Sequence, residues 1–331
     1  MHVSEHPVLV TGAAGFIGAR TVEALGLRGT PVVSVDDLRL FGERPEHAGL
    51  DFGRRVGTSE ALAWLKTEQP ELAGIIHLGA CTDTTEMDEA FLRRVNLEYS
   101  QTLWEHCASA KMPLIYASSA ATYGDGSAGY DDDESRLSEL QPLNPYGDSK
   151  LQFDQWALER EQAGVLPPAW SGWKFFNVYG FGERHKERMA SVVLQAYDQI
   201  RDSGRVRLFQ SHHADYEDGG QQRDFVYVDD VVRVLLFALD TPLARGIFNL
   251  GTGEARTFAD LVRATFAALE RPVDIEYIPT PEDIRERYQY FTQASMQKLR
   301  AAGYETPFTT LEEGVAAYVR RLDDARTRVQ G

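Results

Sequence analysis

The 331-residue sequence has only two cysteines and no long uninterrupted apolar segment. Cys81 and Cys107 are too few for a disulfide framework or a thiolate zinc site. No apolar run approaches the roughly 20 residues that cross a bilayer. The N-terminal stretch MHVSEHPVLVTG has neither the basic segment nor the apolar core of a secretion signal. We therefore expect a cytoplasmic protein without a membrane partner.

Positive charge is also scarce in this chain. It has 34 lysine and arginine residues against 50 aspartate and glutamate residues, a formal net charge of -16. Nucleic acids and anionic membranes bind to basic surfaces, so we expect neither as a partner. The densest acidic run, YDDDESRLSE at 130–139, is interpreted as a solvated loop.

Candidate metal ligands are not grouped at ligand spacing. His212 and His213 are neighbours, but adjacent side chains point apart, and no Cys, Asp or Glu at a suitable distance along the chain completes a site. We therefore expect no bound metal.

What the sequence does contain is an alternation of short β-branched runs with longer helical patterns. The runs are PVLVTG, PVVSVDD, LAGIIHLGA and MPLIYASSA. This order predicts an α/β fold, a Rossmann-like doubly wound parallel sheet whose strands are apolar throughout. We expect an amphipathic helix at about 309–325.

The regular alternation of strand and helix patterns ends after about residue 178. RVRLF, DFVYV, GIFNLG and IEYIP are separated there by irregular segments. We expect a dinucleotide-binding domain at 1–178 that also receives about 224–250. A smaller, interleaved α/β substrate domain is expected from 179–223 and 251–331.

The stretch VTGAAGFIG places Gly12, Gly15 and Gly18 between the first strand and the first helix. Glycine allows a tight turn and a close approach to a pyrophosphate, whose charge the N–H groups of a helix N-terminus stabilise. In this strand–turn–helix context the G-x-x-G-x-x-G spacing predicts a dinucleotide site.

The residues after the second strand leave the choice of dinucleotide open. Asp36 and Asp37 stand about 20 residues downstream, where a carboxylate can hold the ribose 2′-hydroxyl of NAD. Arg39 and Arg44 follow, and either could accommodate the 2′-phosphate of NADP. The chemistry of these residues permits both cofactors.

The stretch NPYGDSK at 144–150 is typical of a helix start, with asparagine at the N-cap and proline at the first position. Tyr146 and Lys150 then lie on one helix face. A neighbouring ammonium favours ionisation of a phenol, which can take a proton from an alcohol while hydride leaves the carbon. Ser118 and Ser119 end a strand at the carboxyl edge of the sheet, where a substrate oxygen can bind.

Six segments carry a family likeness along nearly the whole chain: VTGAAGFIG, YASSAATYG, YGDSK, FFNVYG, RDFVYVDDV and FNLGTG. Together they resemble the extended short-chain dehydrogenase/reductase family of nucleotide-sugar enzymes. The resemblance implies Ser119, Tyr146 and Lys150 as the active-site set, and Asn177 and Arg223 as contacts of the substrate diphosphate. With the loop glycines, it implies dinucleotide contacts at Phe16, Ile17, Asp36, Asp37, Arg44, Leu78, Gly79, Ala80, Asn96, Tyr146, Lys150 and Val178.

Further segments, above all NVYGFGERHKERMASVV at 177–193, are similar to one branch of that family, the ADP-heptose 6-epimerases. The resemblance implies Lys186 as a second acid–base group facing Tyr146. It also implies substrate contacts at Arg188, Phe209, Ser211 and Tyr288. NADP is the implied cofactor, with NAD possible, and a homo-oligomer, a pentamer by this likeness, is implied. Arg188 and Gln195 replace a small residue and a histidine found in some members.

The implied reaction inverts C6″ of ADP-D-glycero-D-manno-heptose for lipopolysaccharide core synthesis. Oxidation of this exocyclic carbon gives an aldehyde that can turn about a single bond and be reduced on its other face. A proton donor is then needed at a second place. Dehydratases of the family carry an Asp-Glu pair where this chain has Ala120 and Ala121, so elimination lacks its catalysts here.

Two alternatives stay open at this point. A 4-epimerase of a UDP- or GDP-hexose would need only Tyr146 and a sugar ring that flips. A non-catalytic dinucleotide-binding protein would keep the fold alone, although intact Ser119, Tyr146 and Lys150 argue against it. From the residues alone, His185 and Lys186 are more simply solvated loop residues or phosphate contacts.

Overall fold

The structure is a computed structural model and describes residues 5–42, 44–241, 245–285 and 289–330. The strands are β1 (Val8–Thr11), β2 (Val32–Asp36), β3 (Arg54–Gly57), β4 (Gly74–His77), β5 (Leu114–Ser119), β6 (Trp170–Phe175), β7 (Asn177–Tyr179), β8 (Val206–Phe209), β9 (Gln222–Tyr227), β10 (Gly246–Leu250), β11 (Ala255–Thr257) and β12 (Ile275–Ile278). The helices are α1 (Phe16–Leu27), α2 (Thr58–Glu68), α3 (Glu89–Leu92), α4 (Tyr99–Ala110), α5 (Pro145–Gln162), α6 (Val192–Ser203), α7 (Val228–Asp240), α8 (Phe258–Ala268), α9 (Glu282–Arg285), α10 (Gln297–Ala301) and α11 (Leu311–Gln330).

Seven parallel strands form the central sheet, in the order β10-β6-β5-β4-β1-β2-β3. One face is covered by α1 and α7, and the other by α2, α4 and α5. Every residue of β1 and β4 is buried, as expected of parallel strands that are covered on both sides. The predicted Rossmann-like doubly wound sheet is confirmed.

A smaller unit packs at the carboxyl edge of the sheet. It contains the three-stranded sheet β11-β9-β7 and the parallel pair β12-β8. Its core lies between α6, α8 and α11. The predicted C-terminal helix is confirmed as α11. Within the range expected to return to the first domain, β10 joins the central sheet whereas β9 joins the smaller one, and the division into domains stays a prediction.

The acidic run at 130–139 covers the edge strand β10. Asp132 Oδ2 accepts a hydrogen bond from Asn249 N at 2.8 Å, and Glu134 Oε1 accepts from Ile247 N at 2.7 Å. Lys298 Nζ contacts the same Glu134 oxygen at 2.6 Å. The interpretation of this run as a solvated loop is wrong for Asp132, which is 4% exposed, because edge-strand N–H groups need acceptors.

In the part of the chain that the structure describes, no helix is both long enough and apolar enough to cross a bilayer.

Asp132→Ala should reduce the free energy of unfolding by about 1–3 kcal/mol, because it leaves the buried Asn249 N–H without its acceptor. Asp131→Ala, at the exposed neighbouring position, should change it by less than about 0.5 kcal/mol. Urea unfolding followed by circular dichroism measures both. Equal losses in the two variants would show that the carboxylate of Asp132 is not the acceptor that matters.

Candidate functional site

The glycine loop packs directly against the end of β4. Gly12 has φ of +66°, and a Cβ atom there would lie 2.7 Å from Gly79 N. A Cβ atom at Gly18 would lie 1.9 Å from Gly12 O. These positions therefore exclude any larger residue, and α1 begins at Phe16 with its first N–H groups beside the turn.

Asp36 supports this loop from the end of β2. Its carboxylate accepts hydrogen bonds from Ala14 N at 2.9 Å and from Asp37 N at 2.8 Å, and burial raises the pKa of Asp36. Hydrogen bonds from Arg39 lower the pKa of Asp37 to about 2. Arg44 donates from Nη1 to Ala14 O. Both oxygens of Asp36 are thus engaged, and a guanidinium group lies at the loop.

A chain of buried hydrogen bonds runs from the end of β4 into the following helix. Gly79 N donates to Thr11 Oγ1 at 3.0 Å, and Thr11 Oγ1 lies 2.7 Å from His77 Nδ1. His77 Nε2 lies 2.8 Å from Ser100 Oγ, which donates to Asn96 O at 2.6 Å. Because Ser100 donates onward, it must accept from Nε2–H. Burial lowers the pKa of His77 to about 3, so the ring is neutral and Nδ1 is the acceptor. All the hydrogen bonds in this series therefore run in one direction, with each donor on the side of Gly79 and each acceptor on the side of Asn96.

Asn96 lies in a π-helical segment, Arg93–Glu98, between α3 and α4. Its Oδ1 accepts from Cys81 N at 2.8 Å, and its Nδ2 donates to Cys81 O and to Ser149 Oγ, both at 3.0 Å. Ser149 Oγ donates to Tyr146 O at 2.7 Å. Asn96 therefore ties the loop after β4 to the first turn of α5, a recurrent use of π-helical segments at functional sites. Its role as a cofactor contact stays a prediction.

Tyr146 and Lys150 lie on one face of α5, as predicted. The predicted cap is confirmed, because Asn144 accepts a hydrogen bond from Gly147 N at 2.8 Å. Burial raises the pKa of Tyr146, and a hydrogen bond with Ser119 lowers it in part. Lys150 Nζ donates to Ala117 O at 3.0 Å, and burial lowers the pKa of Lys150 to about 8. Burial, and not the ammonium of Lys150, dominates the pKa of this phenol.

A fully buried ion pair lies beneath Ser119. Lys174 Nζ is 3.0 Å from Asp154 Oδ2, and Ser118 Oγ donates to the same oxygen at 2.7 Å. Ser118 therefore belongs to the core, whereas Ser119 interacts with Tyr146. Asp154 is not among the predicted site residues, although it follows Lys150 by one helical turn and thus shares its face.

The loop that carries Lys186 packs against the first helix. In the 3₁₀ segment Arg184–Met189, Lys186 Nζ lies 5.5 Å from the centre of the Phe16 ring. Burial lowers the pKa of Lys186, and the charge of Glu183 opposes this shift. Lys186 thus packs against the start of α1, whereas Tyr146 belongs to α5. Glu187 has φ of +49° and ψ of -119°, a strained backbone conformation for a residue with a side chain.

Both ends of this loop are held by hydrogen bonds. The buried carboxylate of Glu183 accepts from Ser191 Oγ at 2.5 Å and from Ser191 N at 2.8 Å, and burial raises the pKa of Glu183. Arg188 Nη2 lies 3.4 Å from Thr85 Oγ1 in the loop after β4. Glu183 is not among the predicted site residues, because nothing in the local pattern marks it as buried.

The expected substrate contacts come mainly from the smaller unit. Arg223 is 8% exposed and donates to Gln222 O at 2.8 Å and to Gln289 O at 2.5 Å. Gln289 Nε2 in turn donates to Gly124 O, shortly after Ser119. This contact connects the Arg223 region to the Tyr146 side of the site.

The other expected contacts take the following positions. Asn177 is exposed at the start of β7, Phe209 ends β8, and Ser211 Oγ lies 3.5 Å from Tyr290 Oη. Tyr288 lies outside the described residues. Half-buried positions near the sheet edge are occupied by Ile17, Leu78, Gly79, Ala80 and Val178. Within the described ranges, no three His, Cys, Asp or Glu side chains form a group able to hold a metal ion.

Relatives with known names match most of this chain. A sequence profile of the NAD dependent epimerase/dehydratase family matches residues 8–251. A protein of Nitratidesulfovibrio vulgaris named ADP-L-glycero-D-manno-heptose-6-epimerase is 46% identical over 318 residues, covering 95% of this chain and 97% of its own. A protein of the same name from Fusobacterium nucleatum is 44% identical over 324 residues, with 95% and 97% covered.

Solved structures share the same fold. The ADP-L-glycero-D-manno-heptose-6-epimerase of Helicobacter pylori is 26% identical, with a TM-score of 0.78 and coverage of 98% of this chain and 99% of that one. The UDP-glucose 4-epimerase of Thermus thermophilus, in complex with NAD, is 26% identical with a TM-score of 0.75, and 97% and 99% are covered.

His77 should make the stability of the fold depend on pH. Burial lowers the pKa of His77 to about 3, and the charge of Lys150 contributes. Since a histidine in the unfolded chain has a pKa of about 6.5, the unfolded state binds more protons between these values. His77 therefore adds a loss of stability as the pH falls from about 6.5 towards about 3.

His77→Gln keeps one acceptor and one donor but removes this titration. The decrease in the free energy of unfolding between pH 7 and pH 5 should be smaller in the variant, by up to about 1.4 kcal/mol per pH unit. Urea unfolding at several pH values measures it. If the free energy of unfolding of the two proteins depended on pH in the same way, the neutral, buried state of His77 would be contradicted.

Proposed function

The chain belongs to the NAD dependent epimerase/dehydratase family, and on that premise we propose that it inverts C6″ of ADP-D-glycero-D-manno-heptose to give the L-glycero epimer. The observation that supports the proposal is that both candidate proton-transfer groups lie against elements of the dinucleotide-binding half of the fold. The buried Tyr146 interacts with Ser119, and the half-buried Lys186 lies against Phe16. A role in lipopolysaccharide core synthesis and a homo-oligomeric state, a pentamer by resemblance, belong to the same proposal.

A bound dinucleotide would supply the hydride acceptor and donor for this reaction. The residues fit such a group, because Gly12 and Gly18 leave no room for a Cβ atom and α1 begins at the turn. Lys150 would hold the nicotinamide ribose beside Tyr146, as the family resemblance implies. Ser119 would orient the substrate oxygen next to the phenol.

The opposite pKa shifts of the two groups suit them to opposite tasks. Burial raises the pKa of Tyr146, so its phenol can donate a proton to the oxygen of the aldehyde as that carbon is reduced. Burial lowers the pKa of Lys186, so its amine can take the proton of the C6″ hydroxyl as that carbon is oxidised. The reverse reaction exchanges the two roles. Turning of the aldehyde between the steps accounts for the need for two positions.

Tyr146→Phe and Lys186→Met should each lower the rate of epimerisation roughly 10²- to 10⁴-fold, because the full reaction needs both groups. With an aldehyde analogue of the substrate, each single variant should keep some hydride transfer, and the double variant should lose it. Lys66→Met changes an exposed lysine of α2 and should leave both rates unchanged.

Inversion is measured by NMR with ADP-D-glycero-D-manno-heptose, and hydride transfer by the absorbance of the reduced dinucleotide. Wild-type rates of epimerisation in Lys186→Met would make the lysine a loop residue only. Turnover of UDP-glucose in place of the heptose would favour a single-tyrosine 4-epimerase.

We further propose that the cofactor is NADP, with a modest preference over NAD. The carboxylate oxygens of Asp36 already accept from Ala14 N and Asp37 N, which weakens their use for a ribose hydroxyl. Arg44 lies at the same loop and carries the charge that a 2′-phosphate requires.

Arg44→Ser should weaken binding of NADP by about 10- to 100-fold, the effect of losing one or two charge-assisted hydrogen bonds, and should leave NAD binding nearly unchanged. Isothermal titration calorimetry with both dinucleotides measures this. The control Arg39→Ser alters an exposed arginine that is paired with Asp37 and should have the smaller effect. Equal weakening of both dinucleotides by Arg44→Ser would contradict the role of Arg44.

For the substrate, we propose that Asn177 and Arg223 hold the diphosphate. A guanidinium group can donate two parallel hydrogen bonds to such a group. Arg188, Phe209 and Ser211 are proposed as further contacts, and Arg188 contacts Thr85 in the loop after β4.

A further inference from the structure

The start of the Lys186 loop is held between two arginines of different helices. Phe181 is 8% exposed. The guanidinium carbon of Arg20, on α1, lies 5.4 Å from the centre of its ring, and that of Arg321, on α11, lies 4.6 Å away. Both distances are within the range of cation–π attraction. The aromatic ring therefore joins the first helix of the chain to the last.

Glu23 offsets the repulsion between these two cations. Its Oε2 is 2.6 Å from Arg20 Nη1, and its two oxygens are 3.1 Å and 3.2 Å from Arg321 Nη2. Arg20 Nη2 also donates to Glu46 O at 3.1 Å, and the side chain of Arg20 is only 2% exposed. Two cations, one carboxylate and one ring thus form a single assembly that is buried at Arg20 and Phe181.

This assembly is continuous with the position of Lys186. Gly182 follows Phe181, and a Cβ atom there would lie 3.6 Å from the Phe16 ring, the ring that Lys186 Nζ contacts. Glu183 O accepts from Lys186 N at 2.9 Å. Phe16, Arg20 and Glu23 are spaced by four and three residues on α1 and so share one face of the helix.

We propose that Arg321 of the C-terminal helix is a positioning residue for Lys186 and acts through Phe181. This inference rests on the acid–base role proposed for Lys186. The ring of Phe181 fixes the place where the loop leaves β7. Because only a short segment separates Phe181 from Lys186, it also restricts where Lys186 lies. Loss of the cation on α11 would let the loop move away from Phe16. No contact between Arg321 and the reacting atoms is required.

The first test needs no substrate. Arg321→Met keeps the length of the side chain and removes its charge, and Arg320→Met does the same at an exposed neighbouring position. Hydrogen exchange of the 180–191 segment, followed by mass spectrometry, should be faster in Arg321→Met and unchanged in Arg320→Met, because the loop amides lose protection when the loop opens. Unchanged exchange in Arg321→Met would overturn the inference.

The second test uses turnover. Arg321→Met should lower kcat of epimerisation by about 10- to 100-fold, the effect of a small misplacement of a catalytic group, with KM for the dinucleotide unchanged. Arg321→Lys keeps a cation over the ring and should recover most of the activity. A loss of kcat that Arg321→Lys does not recover would also overturn the inference.

Phe181→Leu keeps an apolar side chain and removes the aromatic face, and it replaces Arg321→Met if that variant does not fold. The double variant Arg321→Met with Phe181→Leu should show the same exchange rate of the 180–191 segment and the same kcat as Phe181→Leu alone. Additive effects of the two substitutions would contradict coupling through the ring. If the wild-type protein does not epimerise ADP-D-glycero-D-manno-heptose, the proposed function fails, and the exchange measurement still decides whether Arg321 holds the loop.

Discussion

The buried ion pair between Lys174 and Asp154 fixes the spacing on which the candidate site depends. Lys174 belongs to β6, Asp154 to α5, and Ser118 of β5 donates to the same carboxylate, so two strands and one helix meet at one pair of charges. Separating a buried pair leaves a charge without compensation and costs about 3–5 kcal/mol. The distance between β5 and α5 is therefore closely defined. The distance between Ser119 and Tyr146 is fixed in the same way, because Ser119 lies on β5 and Tyr146 lies on α5.

The two candidate proton-transfer groups, Tyr146 and Lys186, are supported by different physical means. Tyr146 stands on a helix packed into the core of the central sheet. Lys186 stands on a loop, where the buried carboxylate of Glu183 and the ring of Phe181 replace regular secondary structure as anchors. The strained backbone of Glu187 lies directly after the lysine. Such strain persists only when the surroundings determine the conformation, which these anchors do. Tyr146 is thus held by a packed helix, and Lys186 by a few specific contacts.

Features set by local periodicity could be predicted from the sequence. The parallel sheet, the glycine turn, the Asn144 cap and the shared face of Tyr146 and Lys150 all follow from spacings within one or two elements. The strand β3 was not predicted, because its exposed arginines interrupt the apolar pattern. Burial of Asp132 and Glu183 could not be predicted, because their partners are contributed by the folded chain and not by neighbouring residues. The sequence shows a carboxylate, but only the fold shows which N–H group it meets.

The acidic run at 130–139 affects whether a strand of another protein can add to the edge strand β10. An edge strand with unpaired N–H groups is a template onto which a strand of another chain can add. Here the carboxylates of Asp132 and Glu134 already occupy two of those groups. An incoming strand would have to displace both and would meet a negatively charged surface. The same residues that complete the sheet therefore protect it from edge-to-edge aggregation, and part of the large negative charge of the chain is placed where such association would begin.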